Sequence, residues 1–193
     1  MRAYAYVVGP QDDLWMNLFD LVGTLGFAGR SSFRGLAQVE QQLAETPICY
    51  FLFSPVEDLA PIRTTAAAIR QSQNDRLRFL PMIYMTHEAS AQTIASCVNM
   101  GFDDIVALPQ SPEALKLRLS RQLGVPQTFY EAGNYFGPDR RNRIAGLEPV
   151  AAANRVGGPF RRLQIIRDPD KGVTIQREQR VATGAVAAMQ TLQ

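Results

Sequence analysis

Side chains able to do chemistry are sparse in this chain and rarely grouped. The single histidine, His87, follows Thr86 at what reads as a strand end, a place where a catalytic base could sit. No serine, aspartate or cysteine can be set around it as nucleophile or orienting group, so a solvent-facing histidine is the simpler reading. Of the two cysteines, Cys49 lies in an apolar run and Cys97 in a helical pattern. No Cys-x-x-Cys or Cys/His spacing suits zinc, so buried free thiols are expected. Gly23-x-x-Gly26-x-x-Gly29 lacks the spacing of a dinucleotide loop and falls at a helix end, and there is no Walker loop. The expectation is a protein with no catalytic residues, no metal and no cofactor. The other chemistry on offer is cationic: Arg140, Arg141, Arg143, Arg155, Arg161 and Arg162 are interleaved with Tyr135, Phe136 and Phe160. Arginines among aromatics suit phosphates and exposed bases.

Charge divides unevenly along the chain. Residues 1–125 hold 10 basic and 12 acidic groups and residues 126–193 hold 10 and 6, so a net charge of +2 conceals a front at −2 and a tail at +4. Such a tail can favour an acidic partner, although six acids dilute it and no helix-turn-helix or zinc pattern accompanies it. Hydrophobic residues at 46% and charged residues at 20% are ordinary globular values. The longest apolar run, Ile48 to Phe53, is far too short to span a bilayer. Met1-Arg2 is followed by strand-like Ala3–Val8, which lacks the uninterrupted apolar segment and small-residue cleavage site of a secretory signal, so a cytoplasmic protein without a membrane partner is expected.

The elements that would position these residues alternate between strand-like runs and helical periodicity over the first 124 residues, the pattern of a parallel sheet covered on both faces. Ala3–Val8 reads as a first strand, followed by Leu14, Leu18, Leu21, Val22 and Leu25 at helical spacing and a stop at Gly26. Phe27–Ser32 reads as a short second strand. Ile48–Phe53, apolar throughout, reads as a central third. A helix around Pro61–Gln71 precedes a fourth strand over Phe79–Met85, and Ala89–Met100 is helical before a fifth strand at Asp104–Leu108. Ser111-Pro112-Glu113 opens the last helix with a hydroxyl cap, a proline at the first helical position and an acid in the first turn. Five β/α units of this length predict a flavodoxin-like, doubly wound sheet in the order 2-1-3-4-5, with its site at the carboxyl ends of strands one and three.

After Gly124 the texture changes. Residues 125–159 read as an extended connector rich in proline, glycine and arginine. Phe160–Arg167 and Gly172–Arg177 flank Asp168-Pro169-Asp170-Lys171, a plausible hairpin, and Gln176–Leu192 reads as a terminal helix weakened by Gly184.

The run Met100-Gly101-Phe102-Asp103-Asp104-Ile105-Val106-Ala107-Leu108-Pro109, continued by Gln110-Ser111-Pro112-Glu113-Ala114-Leu115, resembles the last strand and helix of bacterial response-regulator receiver domains. The family pattern there is Gly-x-Asp-Asp-aromatic-x-x-Lys-Pro, and the likeness extends over about residues 2–124. In that chemotaxis-regulator-like family, two acids after strand one hold magnesium and an aspartate ending strand three accepts phosphate. A hydroxyl ending strand four follows the phosphoryl group, and a lysine ending strand five neutralises it, because a transferred phosphoryl group keeps its charge.

Thr86 matches the hydroxyl. The metal-acid positions fall on Gly9 and Pro10, the acceptor on Phe53, the switch aromatic on Ile105 and the lysine on Leu108. Ser54, Glu57 and Asp58 lie near the acceptor, and Asp12 and Asp13 could approach from a longer loop, although capping the first helix is their simpler role. With these charges gone the resemblance implies a degenerate pocket in which apolar Phe53 and Leu108 have joined the core. What it implies for function is a pseudo-receiver in two-component signalling, a phosphorylation-independent adaptor that binds a protein through the last strand and its flanking helices.

The partner-binding residues expected there are Ile105, Ala107, Leu115 and Arg118, joined by Tyr135, Phe136, Arg140 and Arg141. These four come from Asn134–Arg141, whose Gly-Pro-Asp-Arg-Arg run is similar to one in extensions of some receiver proteins; it is either a docking peptide or a segment folded back on its own domain. The expected partner is a histidine kinase, another regulator or a second copy of the chain. The alternative expectation is a transcription-related regulator that binds nucleic acid through its basic tail.

Overall fold

Why the third strand sits at the centre is visible in its composition. In a computed structural model that describes residues 1–133, 135–139 and 159–181, β3 (Cys49–Phe53) is buried at every position, with no side chain left for solvent. It is flanked in parallel by β1 (Tyr4–Val8) and β4 (Met82–Thr86). The edges are β2 (Gly29–Ser32), polar and half-buried, and β5 (Asp104–Ala107), which ends exposed. The order β2-β1-β3-β4-β5 is the doubly wound, flavodoxin-like order that receiver domains share with other folds of this class.

The helices take the places that the apolar spacing predicts, with local shifts. Helix α1 (Asp13–Thr24) is capped by Asp12, which accepts a hydrogen bond from the Trp15 amide at 2.9 Å. Its buried stripe is Trp15, Leu18 and Val22, so Leu14, expected in the core, is exposed beside it. The indole of Trp15 supplies more apolar area than Leu14 and sets the phase, and its Nε1 donates to the Val7 carbonyl. Then come α2 (Leu36–Gln42), α3 (Ala60–Arg70) and the short α4 (Asp75–Arg78), whose end at Phe79 delays β4 by three residues relative to the expected start. Helix α5 (Ala91–Asn99) is capped by Ser90. Helix α6 (Pro112–Ser120) is capped by Ser111, which accepts from the Ala114 amide and seats Leu115 and Leu119 in the core.

Beyond residue 124 the chain builds a second sheet. Strands β6 (Gln127–Ala132), β7 (Tyr135–Pro138), β8 (Phe160–Asp168) and β9 (Gly172–Val181) pair antiparallel in the order β7-β6-β8-β9. The hairpin at Asp168–Lys171 forms as expected, with the Asp168 carboxylate accepting from the amides of Asp170 and Lys171. Two expectations change. The connector of residues 125–159 begins as two strands, because Thr128-Phe129-Tyr130-Glu131 alternates and finds β8 as a partner. Gln176–Val181, read as the start of a helix, is strand, since residue-by-residue pairing with β8 outweighs the helix propensity of Gln-Arg-Glu-Gln-Arg. Residues 182–192 of that expected helix, and Arg140, Arg141, Arg143 and Arg155, lie outside the described residues.

The second sheet lays one face against the amino ends of the first. Phe79 meets Phe129 and Phe136 with ring centroids 5.2 Å from each, and Leu163 and Ile165 complete a separate buried cluster. Each such side chain contributes about 1.5–3 kcal/mol on burial. No described helix is long and apolar enough to cross a membrane.

Candidate functional site

The carboxyl end of the parallel sheet, where the fold places ligands, holds every position of the expected pocket. Gly9 closes β1 at φ +144°, a conformation that L side chains rarely adopt. A Cβ there would stand 2.0 Å from the Ser54 hydroxyl oxygen, and the Ser54 amide donates to the Val8 carbonyl at 2.8 Å. Ser54 thus fills the space that a side chain at position 9 would need; its hydroxyl is buried and has no hydrogen-bond partner among the described residues. Pro10 is exposed beside it. Phe53 is wholly buried, with its ring edge-on to Phe102 at 4.8 Å.

Around this core the remaining positions are satisfied locally. The Thr86 hydroxyl donates to the Glu88 carbonyl at 2.7 Å and accepts from the Glu88 amide, so it closes its own turn. Ile105 is half-buried in register with Tyr84. Leu108, half-buried against the main core, bonds through its amide to the Thr86 carbonyl and is joined to Pro109 by a cis peptide. Asp12 caps α1, and Asp58 accepts from the Ala60 amide at the start of α3. Among the described residues no three histidine, cysteine or acidic side chains come together as a metal would need.

A groove of about 340 Å³ opens over this end, lined by Leu14, Val56, Leu59, Tyr84 and the exposed His87, with Glu57 and Glu88 at it. It is mixed in character. Burial pushes the Tyr84 phenol up, and its oxygen lies 3.4 Å from the amide and the carbonyl of Val56.

The expected partner-binding residues divide. Ala107 is exposed and Ile105 half-exposed on the edge strand, and Leu117 on α6 is 59% exposed. Arg118 grips Asp104 through Nε at 2.7 Å and Nη2 at 2.9 Å, and also donates to the Ile105 carbonyl. Leu115 is fully buried and cannot touch a partner, because the phase of α6 turns it with Leu119 into the core. Phe136 is likewise packed inside, with the Arg78 guanidinium 3.7 Å above its ring, and the Tyr135 hydroxyl donates to the Pro138 carbonyl. Of the two readings of that segment, folding back is the one seen for Tyr135–Pro138.

The largest concentration of buried charge lies at the opposite, amino end. Asp103, just before β5, is 2% exposed; its Oδ2 accepts from Arg70 Nη2 at 2.6 Å and from the Met82 amide at 2.8 Å, and its Oδ1 accepts from Arg167 Nη2 at 2.6 Å. Arg70 also donates to the carbonyls of Gly101, Arg78 and Leu80. Arg167 donates to the Phe79 carbonyl and to the side chains of Gln122 and Gln127. Burial alone would raise the Asp103 pKa, but Arg167 and Arg70 outweigh it and hold the carboxyl below the usual range. Sequence reasoning missed this cluster. One signal was present: Arg167 has the same strand parity as Leu163 and Ile165, so it had to face inward and find an acid.

No family model matches the chain, and no curated protein matches it. Among solved structures, a pilus assembly-related protein from Burkholderia pseudomallei is 22% identical, with 62% of this chain and 88% of that one covered at a TM-score of 0.45. A response regulator in red light signaling of R. palustris is 13% identical, with 62% and 90% covered at a TM-score of 0.39. Both are likenesses of fold. The strand order and the helices between the strands give residues 4–120 a flavodoxin-like α/β fold.

Proposed function

We propose that the protein is a signalling adaptor whose receiver-like domain works without phosphorylation and docks a protein partner on the surface of α5, β5 and α6. The observation that carries the reading is the filling of the expected pocket. Ser54 occupies the space beside Gly9, Phe53 belongs to the core, and Leu108 stands where a cation would be required. A phosphoryl group placed there would meet apolar side chains and no clustered acids among the described residues, and that arrangement cannot offset its charge. The chain is thus read as a non-enzyme, with His87 a surface residue of the groove.

The docking surface is supported by apolar exposure at Leu117 on α6 and at Ala107 and Ile105 on β5, with Arg118 held by Asp104 between the two elements. A histidine kinase, another regulator or a second copy of the chain would fit such a surface. Incubation of the full chain with acetyl phosphate and magnesium, read by intact mass, is expected to leave the mass unchanged. A stable phosphoryl adduct within residues 1–124 would overturn the reading. Ala107→Glu combined with Leu117→Glu is expected to abolish partner capture and any self-association without lowering the melting temperature.

A further inference from the structure

The second sheet has two faces, and they treat arginine differently. On the face turned toward the first domain every described arginine is neutralised. Arg167 binds Asp103, Arg161 binds Glu131 and Glu178 at 2.9–3.0 Å, and Arg180 binds Glu178 at 2.8 Å. On the outer face Arg162 pairs in register with Gln179, and Gln164 with Arg177. The four side chains converge on a shallow cleft of about 160 Å³. Neither Arg162 nor Arg177 meets a carboxylate among the described residues. Glu131 and Glu178 have the inward parity, and Asp168, at the far end, is turned into its own hairpin. Two cations and two amides therefore share one open patch.

Next to that patch stands an aromatic pair. Tyr130 is in direct register with Arg162, Phe160 lies two residues before it on the same face, and their ring centroids are 5.8 Å apart. We propose that this outer face binds single-stranded nucleic acid, with backbone phosphates on Arg162 and Arg177, amide contacts from Gln164 and Gln179, and a base against Phe160. Charge complementarity selects a polyanion, and the adjoining rings favour one that carries planar bases. The cleft is too shallow to enclose a lone nucleotide, so binding has to be summed along a strand. This assignment stands apart from the adaptor reading, which rests on the other domain.

The test uses the full chain with a short fluorescent oligothymidylate, its oligouridylate counterpart, and polyglutamate as a polyanion without bases. The wild type is expected to bind the oligonucleotides with affinity that falls as salt rises. Arg162→Gln with Arg177→Gln should weaken binding at least tenfold and reduce the salt slope by about 1.4, twice the ~0.7 expected per strand phosphate. Phe160→Leu, which keeps apolar bulk and removes the ring, should cost roughly tenfold. Unchanged melting temperatures confirm that these variants fold. Absence of oligonucleotide binding at low salt, equal binding by the double variant, or polyglutamate binding as tightly as the oligonucleotides would each overturn the assignment.

Discussion

The two ends of the parallel sheet differ in character. At the carboxyl end, where the resemblance implies acids and a lysine, Gly9, Phe53 and Leu108 leave a pocket packed with uncharged groups. At the amino end a carboxylate and two guanidiniums are buried together, and they tie the second sheet to the first. The difference teaches that buried charge in this molecule serves assembly. Asp103 is satisfied because two sheets converge on it, whereas among the described residues no cluster of acids or histidines gathers at the carboxyl end.

The comparison breaks most readily at Asp103. Asp103→Ala strands two buried guanidiniums and is expected to cost about 3–5 kcal/mol, measured by urea unfolding. Replacing Arg70, Asp103 and Arg167 together by Met, Leu and Met should cost less than the sum of the three single replacements, since no unpaired ion is left, while the carbonyls of Phe79, Arg78, Leu80 and Gly101 still lose their donors. At the other end Gly9→Ala forces a Cβ against Ser54 in a left-handed conformation, for about 1–3 kcal/mol. Ser54→Ala should instead be neutral or stabilise slightly, because its buried hydroxyl has no partner to lose.

Acid provides a graded test. The Asp103 pKa is lowered on folding, so its contribution is fully present above the ordinary carboxylate range and is lost as pH falls through the lowered folded value. Stability should therefore drop below about pH 4, and amide hydrogen exchange in β6 and β8 should report the second sheet loosening. Glu131 and Glu178, held low by their arginines, the latter at about 2, act in the same direction. The smallest effect belongs to the exposed pair between Arg2 and Asp170, where Arg2→Ala should change stability by less than about 1 kcal/mol.

Much of the first domain was legible because each element announces itself locally. The all-apolar run Ile48–Phe53 could only be central, and the Ser111-Pro112-Glu113 start fixed the phase that buries Leu115. That same phase shows why Leu115 should never have been assigned to a surface. The residue types at Gly9, Phe53 and Leu108 were legible, but the filling of the space beside Gly9 by Ser54 was not, since that depends on how closely β1 approaches the loop after β3. In the tail, proline and glycine read as a connector, and the strand alternation of Phe129 and Tyr130 passed unnoticed between them.

By itself, the sequence determined the order of the β/α units, the caps that start the helices and the uncharged residue types at Gly9, Phe53 and Leu108, because these follow from residue types at short range. Only the tertiary structure decided where the remaining charge is spent. Arg70 and Asp103 lie 33 residues apart, and Asp103 and Arg167 lie 64 apart. No local pattern can pair groups over such distances, and burial in a common interface is what makes each of them require the others.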